Sequence, residues 1–386
     1  MRVLFVDDET DVLEGLENRL HRLKDQWHPA FANAAQKALS ILATQNFDAV
    51  VTDMRMPQMD GAELLNAVRR EYPKTVRIIL SGETGQKGLI RAISVAHRVL
   101  SKPFDINRLH QIIEDTMRVQ NEFDNDPVLS AADSKHPLPS APKLLALMQA
   151  ELRMQEPNFN RLAEALERDP AMTARLLQVV NSAMFGFDRP ATNVREAIRR
   201  LGLDMICGLI AAHELYRETA NCDPALRAQL EALHQLSTRT AEFAATLTEN
   251  PLRRPLVFTA AILQSIGALA LLSNSALSGL PLDTDLNRIS SKLMDLWGLP
   301  AELISTVSTA SHPSDDGIPH PTPAGTLHLA RLFALRSQAP NRRPLVEEPA
   351  LDRPYLELSG LTIASVEAWE RQLTGQSSPT ANGATA

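Results

Sequence analysis

Cysteine is scarce in this chain: only Cys207 and Cys222 occur among its 386 residues. Two cysteines are too few for a disulfide framework or for a zinc site of their own, which favours a reducing compartment. The opening stretch, MRVLFVDDET, places acidic side chains directly after a short apolar run. It therefore lacks the longer apolar region of a signal peptide, and we expect a cytoplasmic protein.

Long apolar runs and an excess of basic residues are also missing. No apolar run approaches the roughly 18 to 20 residues that a membrane span needs. The net charge of −7 provides no general attraction for the phosphates of a nucleic acid. These two absences disfavour a membrane or a nucleic acid as the partner of the protein.

What the chain does contain, over residues 1–122, is an alternation of strand and helix patterns. The segments RVLFV, AVVT and VRIIL are short apolar runs rich in Val and Ile, and HRVLS is a weaker fourth one. Such runs are typical of strands that are buried on both faces of a parallel sheet. Amphipathic segments lie between them, so the pattern predicts an α/β domain with a doubly wound parallel sheet.

The rest of the chain has a different character. Residues 123–137 are rich in polar residues, Asp and Pro, and we interpret them as a linker. Helical spacing dominates residues 138–336, where Asp169 before Pro170 is typical of a helix start, and this predicts an all-α domain. Residues 337–386 form a C-terminal extension with one late helix near TIASVEAWERQL. The last ~10 residues have little to bury and are expected to be disordered.

Polar residues follow the predicted strands of the α/β domain. They are Asp7 and Asp8 after the first strand, Asp53 after AVVT, Ser81 after VRIIL and Lys102 after HRVLS. Ligands of open α/β sheets bind beyond the carboxyl ends of the strands. Converging carboxylates repel one another unless a cation lies among them, and Mg²⁺ prefers oxygen ligands. The set therefore predicts a Mg²⁺ site that can accommodate a phosphoryl group.

This ordered set of residues resembles the receiver domain of two-component response regulators, which has a flavodoxin-like fold. The resemblance covers residues 1 to about 119. It implies that Asp53 is the phosphoacceptor and attacks a phosphohistidine on a sensor histidine kinase. It also implies that Asp8 ligates Mg²⁺ directly and that Asp7 helps, with Asp53 and the backbone carbonyl of Arg55 as further ligands.

The same resemblance assigns the residues that would sense the phosphoryl group. Ser81 would donate a hydrogen bond to its oxygens, and Lys102 would pair with its charge and precede a cis bond to Pro103. Gly61 would serve the turn after the site. Val99 stands where the family usually has Tyr or Phe as a rotating switch. We therefore expect a weaker switch, with more of the signal carried by Ser81 and its loop.

The helical region resembles the HDOD domain, an HD-like all-α domain. The most specific segments are DPAMTARLLQVVNSA and LWGLP. HDOD domains are related in fold to the HD phosphohydrolases, whose metal ligands are histidines and aspartates. The corresponding positions here hold Leu236, Gln264, Ser265, Ser311, His312 and Arg331. One histidine does not hold a metal, and an arginine repels one, so we expect no metal and no enzymatic activity in this domain.

Together the two resemblances imply a phosphorylation-regulated bacterial response regulator. Its expected partners are a sensor histidine kinase, a downstream signalling protein and a second copy of the chain. Three alternatives stay open: a cryptic HD-type phosphohydrolase, a protein that binds a cyclic dinucleotide, and a DNA-binding regulator. The last would need a basic helix, and the most basic helical stretch is VREAIRRLGL.

Overall fold

A computed structural model of the chain describes residues 1–20, 27–82, 86–132, 138–140, 142–154, 158–183, 185–215, 224–274, 284–318, 321–338, 346 and 348–374. Its first part is a five-stranded parallel sheet in the order β2-β1-β3-β4-β5. The strands are β1 (Arg2–Val6), β2 (His28–Ala32), β3 (Ala49–Asp53), β4 (Val76–Ser81) and β5 (Arg98–Ser101). The helices between and after them are α1 (Thr10–Leu20), α2 (Ala35–Leu42), α3 (Gly61–Glu71), α4 (Gln86–Val95) and α5 (Ile106–Asn125). The predicted doubly wound sheet is confirmed.

The strand side chains alternate between the two faces of this sheet. Phe5, Val51 and Ile78 belong to an apolar cluster with Leu13 of α1 and other residues of α1 and α5. The other face, with residues such as Val50 and Ile79, belongs to a larger cluster that also contains the core of the helical region. This alternation follows from the period of two along a strand. One continuous apolar cluster therefore joins the two halves of the chain.

The remainder of the described chain is helical, as predicted. Its helices are α6 (Pro127–Ala132), α7 (Pro142–Leu152), α8 (Phe159–Glu167), α9 (Pro170–Val180), α10 (Val194–Leu201), α11 (Leu203–Leu215), α12 (Pro224–Leu247), α13 (Arg254–Leu263), α14 (Ile266–Ser273), α15 (Leu286–Leu296), α16 (Ala301–Thr309), α17 (Pro323–Arg336), α18 (Arg353–Ser359) and α19 (Ile363–Thr374). The helix start at Asp169 is confirmed, because its carboxylate accepts a hydrogen bond from the backbone N–H of Met172 at 3.0 Å.

Three segments differ from the sequence interpretation or lie outside the described residues. In the segment interpreted as a linker, residues 123–137, α5 continues to Asn125 and α6 follows, because Phe123, Leu129 and Ala132 are fully buried. In the extension over residues 337–386, α18 precedes the expected late helix α19. The end predicted to be disordered falls within residues 375–386, outside the described residues.

One stretch of the described chain, Arg254–Ser273, is long and apolar enough to cross a membrane by length and composition alone. Its mean hydropathy is 2.0, so the expectation that no run approaches this length is wrong. The stretch comprises α13 and α14, and 89% of its apolar window is buried inside the helical domain. That burial is the pattern of core helices.

The helical region packs against α4, β5 and α5 of the sheet domain. The central contact is the side chain of Arg98, which donates hydrogen bonds to the carbonyls of Leu296 and Asp295, the latter at 2.6 Å. These carbonyls lie at the C-terminal end of α15, where helix carbonyls lack partners within the helix and attract positive charge. Arg98 thus caps a helix of the other domain.

Weaker contacts surround this cap. The side-chain amide of Gln178 donates to the carbonyl of His97, and the hydroxyl of Ser101 donates to the carbonyl of Ala183, both at 3.4 Å. Two ion pairs, Lys292 with Glu122 and Arg288 with Asp126, add contacts at 2.5 Å each between α15 and the α5–α6 segment. The α4–β5–α5 side of the sheet domain is therefore occupied by the protein's own helical domain.

Candidate functional site

The parallel strands bring three of the predicted site residues together. The ammonium of Lys102, just after β5, lies 2.6 Å from a carboxylate oxygen of Asp7 and 2.5 Å from one of Asp53. Asp7 follows β1 and Asp53 ends β3, and these strands are neighbours in the sheet. The sequence argument from strand ends therefore placed these three groups correctly.

Burial and charge set the protonation of this cluster. Burial raises the pKa of the Asp53 carboxyl, and its hydrogen bond and ion pair with Lys102 oppose that rise. For Lys102, burial alone would lower the pKa of the ammonium, but the bonds to Asp53 and Asp7 outweigh it and the net shift is upward. Lys102 is therefore charged at neutral pH, and it stabilises the charged form of Asp53.

The loop after Asp53 is folded tightly against it. The backbone N–H of Arg55 donates to a carboxylate oxygen of Asp53 at 2.5 Å. A Cβ atom on Gly61 would lie 2.1 Å from the backbone carbonyl oxygen of Asp53, so only glycine fits at the start of α3. Asp60 caps that helix and forms a capping box with Glu63. The role expected for Gly61 in a turn is thus a close approach between two backbone segments.

The residues expected to sense the phosphoryl group occupy different environments. Ser81 is fully buried at the end of β4, and its hydroxyl donates to the carbonyl of Gly82 at 3.3 Å. Val99 is 5% exposed and belongs to the large apolar cluster shared with the helical domain. The Lys102–Pro103 bond is cis, as the resemblance implies. The next part of the Ser81 loop, residues 83–85, lies outside the described residues.

The carboxylates of Asp7 and Asp53 are of the chemical kind that binds a magnesium ion. Asp7 and Asp53 lie close enough to share one ammonium, so one of their two negative charges remains uncompensated by Lys102. The neighbouring Asp8 is exposed, and among the described residues its carboxylate does not form a group of three with those of Asp7 and Asp53. Carboxylate and carbonyl oxygens are the ligands that Mg²⁺ prefers. Asp7, Asp8, Asp53 and the backbone carbonyl of Arg55 stay the groups that the resemblance to receiver domains assigns to this ion.

The positions of the helical domain that correspond to metal ligands in HD enzymes are only partly brought together. The Nη1 of Arg331 donates to the Oε1 of Gln264 at 3.1 Å, and Ser265 follows Gln264 in the turn between α13 and α14. Leu236 is buried and His312 is exposed. Among the described residues, no group of three or more His, Cys, Asp or Glu is arranged to hold a metal. The prediction that this domain binds no metal stays a prediction.

The sequence argument brought Asp7 and Lys102 to the same edge of the sheet but assigned no ion pair between them, and it did not find the capping contact of Arg98. Asp7 was expected only to bind a metal. However, it follows β1, and β1 is next to the strand that ends at Asp53, so the sequence could have suggested that the two carboxylates share Lys102 as a partner. Arg98 gave no signal, because its partners lie 197 and 198 residues away in the chain.

Two family models match separate parts of the chain. The model described as "Response regulator receiver domain" matches residues 3–114, and the model described as "HDOD domain" matches residues 138–278. The chain is a response regulator receiver domain joined to an HDOD domain. Receiver domains generally bind Mg²⁺ for phosphorylation, in agreement with the oxygen ligands at Asp53.

Curated relatives match about a third of the chain. The response regulator protein PilR of Pseudomonas aeruginosa is 32% identical over 129 residues, which are 33% of this chain and 28% of the relative. The regulatory protein AtoC of Escherichia coli is 30% identical over 121 residues, 31% of this chain and 26% of the relative. The chain thus spans only about a quarter of the length of these relatives.

Two solved structures are also similar to parts of the chain. The signal receiver domain of an HD domain-containing protein from Pseudomonas fluorescens Pf-5 has 33% identity and a TM-score of 0.30, and the match covers 31% of this chain and 97% of that chain. The MmoQ response regulator from Methylococcus capsulatus has 21% identity and a TM-score of 0.46, and the match covers 60% of this chain and 97% of that chain.

Proposed function

We propose that Asp53 accepts a phosphoryl group from the phosphohistidine of a sensor histidine kinase and that this event controls the HDOD domain. The observation that carries the proposal is the convergence of Asp53, Asp7 and Lys102 within 2.6 Å contacts. A carboxylate oxygen of Asp53 attacks the phosphorus, the bond from phosphorus to histidine nitrogen breaks, and an acyl phosphate forms. Bound Mg²⁺ supplies positive charge that neutralises the phosphoryl oxygens.

The residues of the chain hold the charges during this transfer. Lys102 is already bonded to Asp53, so its ammonium lies where the negative charge of the phosphoryl group develops. Once Asp53 carries that group, Lys102 divides its bonds between the phosphoryl oxygens and Asp7. β5 contains Arg98 only four positions before Lys102, so a shift of Lys102 acts on the strand that carries the interdomain contact.

The HDOD domain acts by protein–protein contact rather than by catalysis in this proposal, and a second copy of the chain is one of the partners considered. Gln264 and Ser265 replace the histidine–aspartate pair on which HD enzymes depend. Nucleic acid is disfavoured as a target, because the basic helix α10 is partly neutralised. Its Arg195 pairs with Glu167 at 2.9 Å, and Arg200 pairs with Glu196 at 2.5 Å.

Phosphorylation can be tested on the full chain with a small phosphodonor such as acetyl phosphate and Mg²⁺. The expected result is one phosphoryl group per chain by intact mass, lost in Asp53→Asn. Asp48→Asn is a matched control, because Asp48 is exposed and immediately precedes the strand that ends at Asp53. Equal phosphorylation of Asp53→Asn would show that the acceptor is another residue.

Control of the HDOD domain can be tested by a pull-down from a lysate of the source organism. Wild type treated with acetyl phosphate is compared with Asp53→Asn treated in the same way. The proposal is supported by a partner protein that either wild type or Asp53→Asn retains at least severalfold better than the other. Identical retention of every captured protein would contradict control through Asp53.

The absence of catalysis can be tested by following phosphodiester hydrolysis in the presence of added Mn²⁺ or Fe²⁺. We expect no turnover above buffer. Turnover that disappears in Gln264→Ala would establish the alternative of a cryptic phosphohydrolase.

A further inference from the structure

The HDOD domain contains a buried positive charge that forms no ion pair within the part of the chain that the structure describes. Arg331, on α17, is 8% exposed, and its side chain makes one hydrogen bond, from Nη1 to the neutral amide oxygen of Gln264. No carboxylate among the residues that the structure describes forms an ion pair with it. A buried charge is normally paired, because the loss of its hydration is costly. The planar guanidinium offers several further N–H donors, so the single bond to Gln264 leaves most of them unused.

A second unused donor lies on Gln264 itself. Gln264 is 1% exposed, and its Nε2 is buried without a hydrogen-bond partner. Its Oε1 is already turned towards Arg331, so the amide offers N–H groups on the other side. Reversing the amide would lose the bond to Arg331 and place two donors against each other. Two neighbouring side chains therefore both present donors and no acceptor.

Among the described residues, no hydroxyl accepts a hydrogen bond from the Nε2 of Gln264 or from the side chain of Arg331. The hydroxyls of Ser237 and Ser265 both donate to the carbonyl of Ile262, at 3.1 and 2.8 Å, and also contact each other. The hydroxyl of Ser290 donates to the carbonyls of Gln264 and Leu286 and accepts from the N–H of Gly267. These bonds hold the α13–α14 turn in place beside Arg331.

The carboxylate of Asp285 influences the charge of Arg331 without forming an ion pair with it. Burial lowers the pKa of Arg331 to about 10, and the negative charge of Asp285 acts against that fall. Asp285 is the N-cap of α15, where one of its oxygens accepts from Asn287 and Arg288 at 3.0 and 3.1 Å and from the hydroxyl of Ser311 at 2.7 Å. Arg331 is therefore charged at neutral pH and is influenced by Asp285 only from a distance.

We propose that Arg331 and Gln264 form a binding site for a small phosphate-type anion. A guanidinium and an amide N–H group both donate to tetrahedral oxyanions, and the guanidinium supplies the opposite charge. The low exposure of Arg331 fits a small ion rather than a polymer. The site lies where the resemblance places the metal of an HD enzyme, so the fixed charge of Arg331 takes the place of the metal's charge. This goes beyond the proposed function, because it gives the HDOD domain a ligand independent of Asp53.

The test is a titration of the full-length protein with inorganic phosphate, without Mg²⁺ and at constant ionic strength. Binding is followed by calorimetry and by the melting temperature. We expect saturable binding of one phosphate per chain, together with a rise in melting temperature. The same response is expected in Asp53→Asn, which separates this site from the receiver domain, and in Arg253→Gln, which removes an exposed arginine of the same domain.

Gln264→Glu is the decisive variant, because it places a carboxylate next to Arg331 within the protein. It should melt at a higher temperature than wild type without phosphate, and its affinity for phosphate should fall at least about tenfold. Arg331→Met removes the charge and keeps the side-chain volume, and its affinity for phosphate should fall by at least the same factor. A cyclic dinucleotide tested in parallel distinguishes free phosphate from a phosphodiester as the source of the anion. If the dinucleotide raises the melting temperature of wild type but not of Gln264→Glu, the site is supported and its ligand is a phosphodiester.

Two outcomes would overturn the proposal. One is a folded wild-type protein whose melting temperature and binding heats do not respond to either ligand. The other is an undiminished response in Gln264→Glu and in Arg331→Met.

Discussion

Gly61 shows how closely the backbone itself is fitted around Asp53. Replacing Gly61 by Ala would place a Cβ atom 2.1 Å from the carbonyl oxygen of Asp53, and backbone cannot move away as a side chain can. We expect Gly61→Ala to lower the free energy of unfolding by about 1 to 3 kcal/mol, the usual cost of overpacking, and to slow phosphorylation. Urea unfolding and the acetyl phosphate reaction measure the two effects.

Gly15 provides the matched control, since a Cβ atom there meets nothing within 4 Å in the interior of α1. Gly15→Ala should raise the free energy of unfolding by up to about 1 kcal/mol, because alanine favours a helix. Equal effects of the two substitutions would contradict the contact at Asp53.

His97 gives the stability of the protein a dependence on pH. Burial, reinforced by the charges of Arg77 and Arg98, holds the pKa of His97 well below its ordinary value of 6.5. The folded protein therefore keeps His97 neutral while the unfolded chain takes up a proton below pH 6.5. Stability from this residue is present above pH 6.5 and is lost as the pH falls, by up to about 1.4 kcal/mol per pH unit.

Urea unfolding at pH 7.0 and at pH 5.5 measures this loss. In His97→Gln the decrease between the two pH values should be smaller than in wild type. His28→Gln, which changes an exposed histidine at the start of β2, should leave the decrease unchanged. An identical decrease in wild type and in His97→Gln would rule out the role of His97.

The two kinds of site residue differ in how far the sequence could predict them. Asp7, Asp53 and Lys102 were predictable because the ends of parallel strands meet at one edge of the sheet. The surroundings of Arg331 were not, because burial and the orientation of Gln264 depend on how α13 and α17 pack. The sequence indicated only that an arginine at this position would repel a metal.

Helices α13 and α14 are buried along most of their length. Ile262 is 0% exposed within α13, so removing its side chain leaves a cavity. Ile262→Ala should lower the free energy of unfolding by about 2 to 5 kcal/mol. Leu252→Ala, at a residue 89% exposed just before α13, should change it little, and chemical denaturation compares the two. A loss below about 1 kcal/mol in Ile262→Ala would contradict the packing.

The elements that the sequence argument missed share a physical cause. β2 has the sequence HPAFA with an exposed first residue and no fully apolar run, so it lacks the signal of a buried strand. The end of α5 and the whole of α6 lie in a polar segment, and they are stabilised by burial of Phe123 and Leu129 against other helices. Tertiary packing determines the structure of such segments, whereas the periodicity of apolar residues was enough to predict the longer amphipathic helices.

The contact between the domains depends on Arg98, whose half-buried side chain reaches the end of α15. Burial lowers the pKa of Arg98 to about 10, so it stays charged at neutral pH. Arg98→Ala should cost about 1.5 to 3 kcal/mol, typical of a hydrogen bond to a charged group. It should also speed hydrogen exchange of the backbone amides of Trp297, Gly298 and Leu299, which close the end of α15.

Gly298 tests the same contact from the other side. Its φ is +72°, and a Cβ atom would lie 2.9 Å from the guanidinium of Arg98. Gly298→Ala should therefore mimic Arg98→Ala in hydrogen exchange. Arg70→Ala, at an exposed arginine on α3, is the matched control. Unchanged exchange at the end of α15 in Arg98→Ala would mean that the cap contributes little to docking.

Capping of α15 by Arg98 also has a consequence for how the chain can be divided. The end of a helix in one half is completed by a side chain from the other, and one apolar cluster runs through both. Separate expression of the two halves would leave the α15 carbonyls to water and expose apolar surface on each piece. The whole chain should therefore melt in a single cooperative transition. If the receiver domain were exchanged for a related one, the new domain would need an arginine at the position of Arg98 in β5 to keep that single transition.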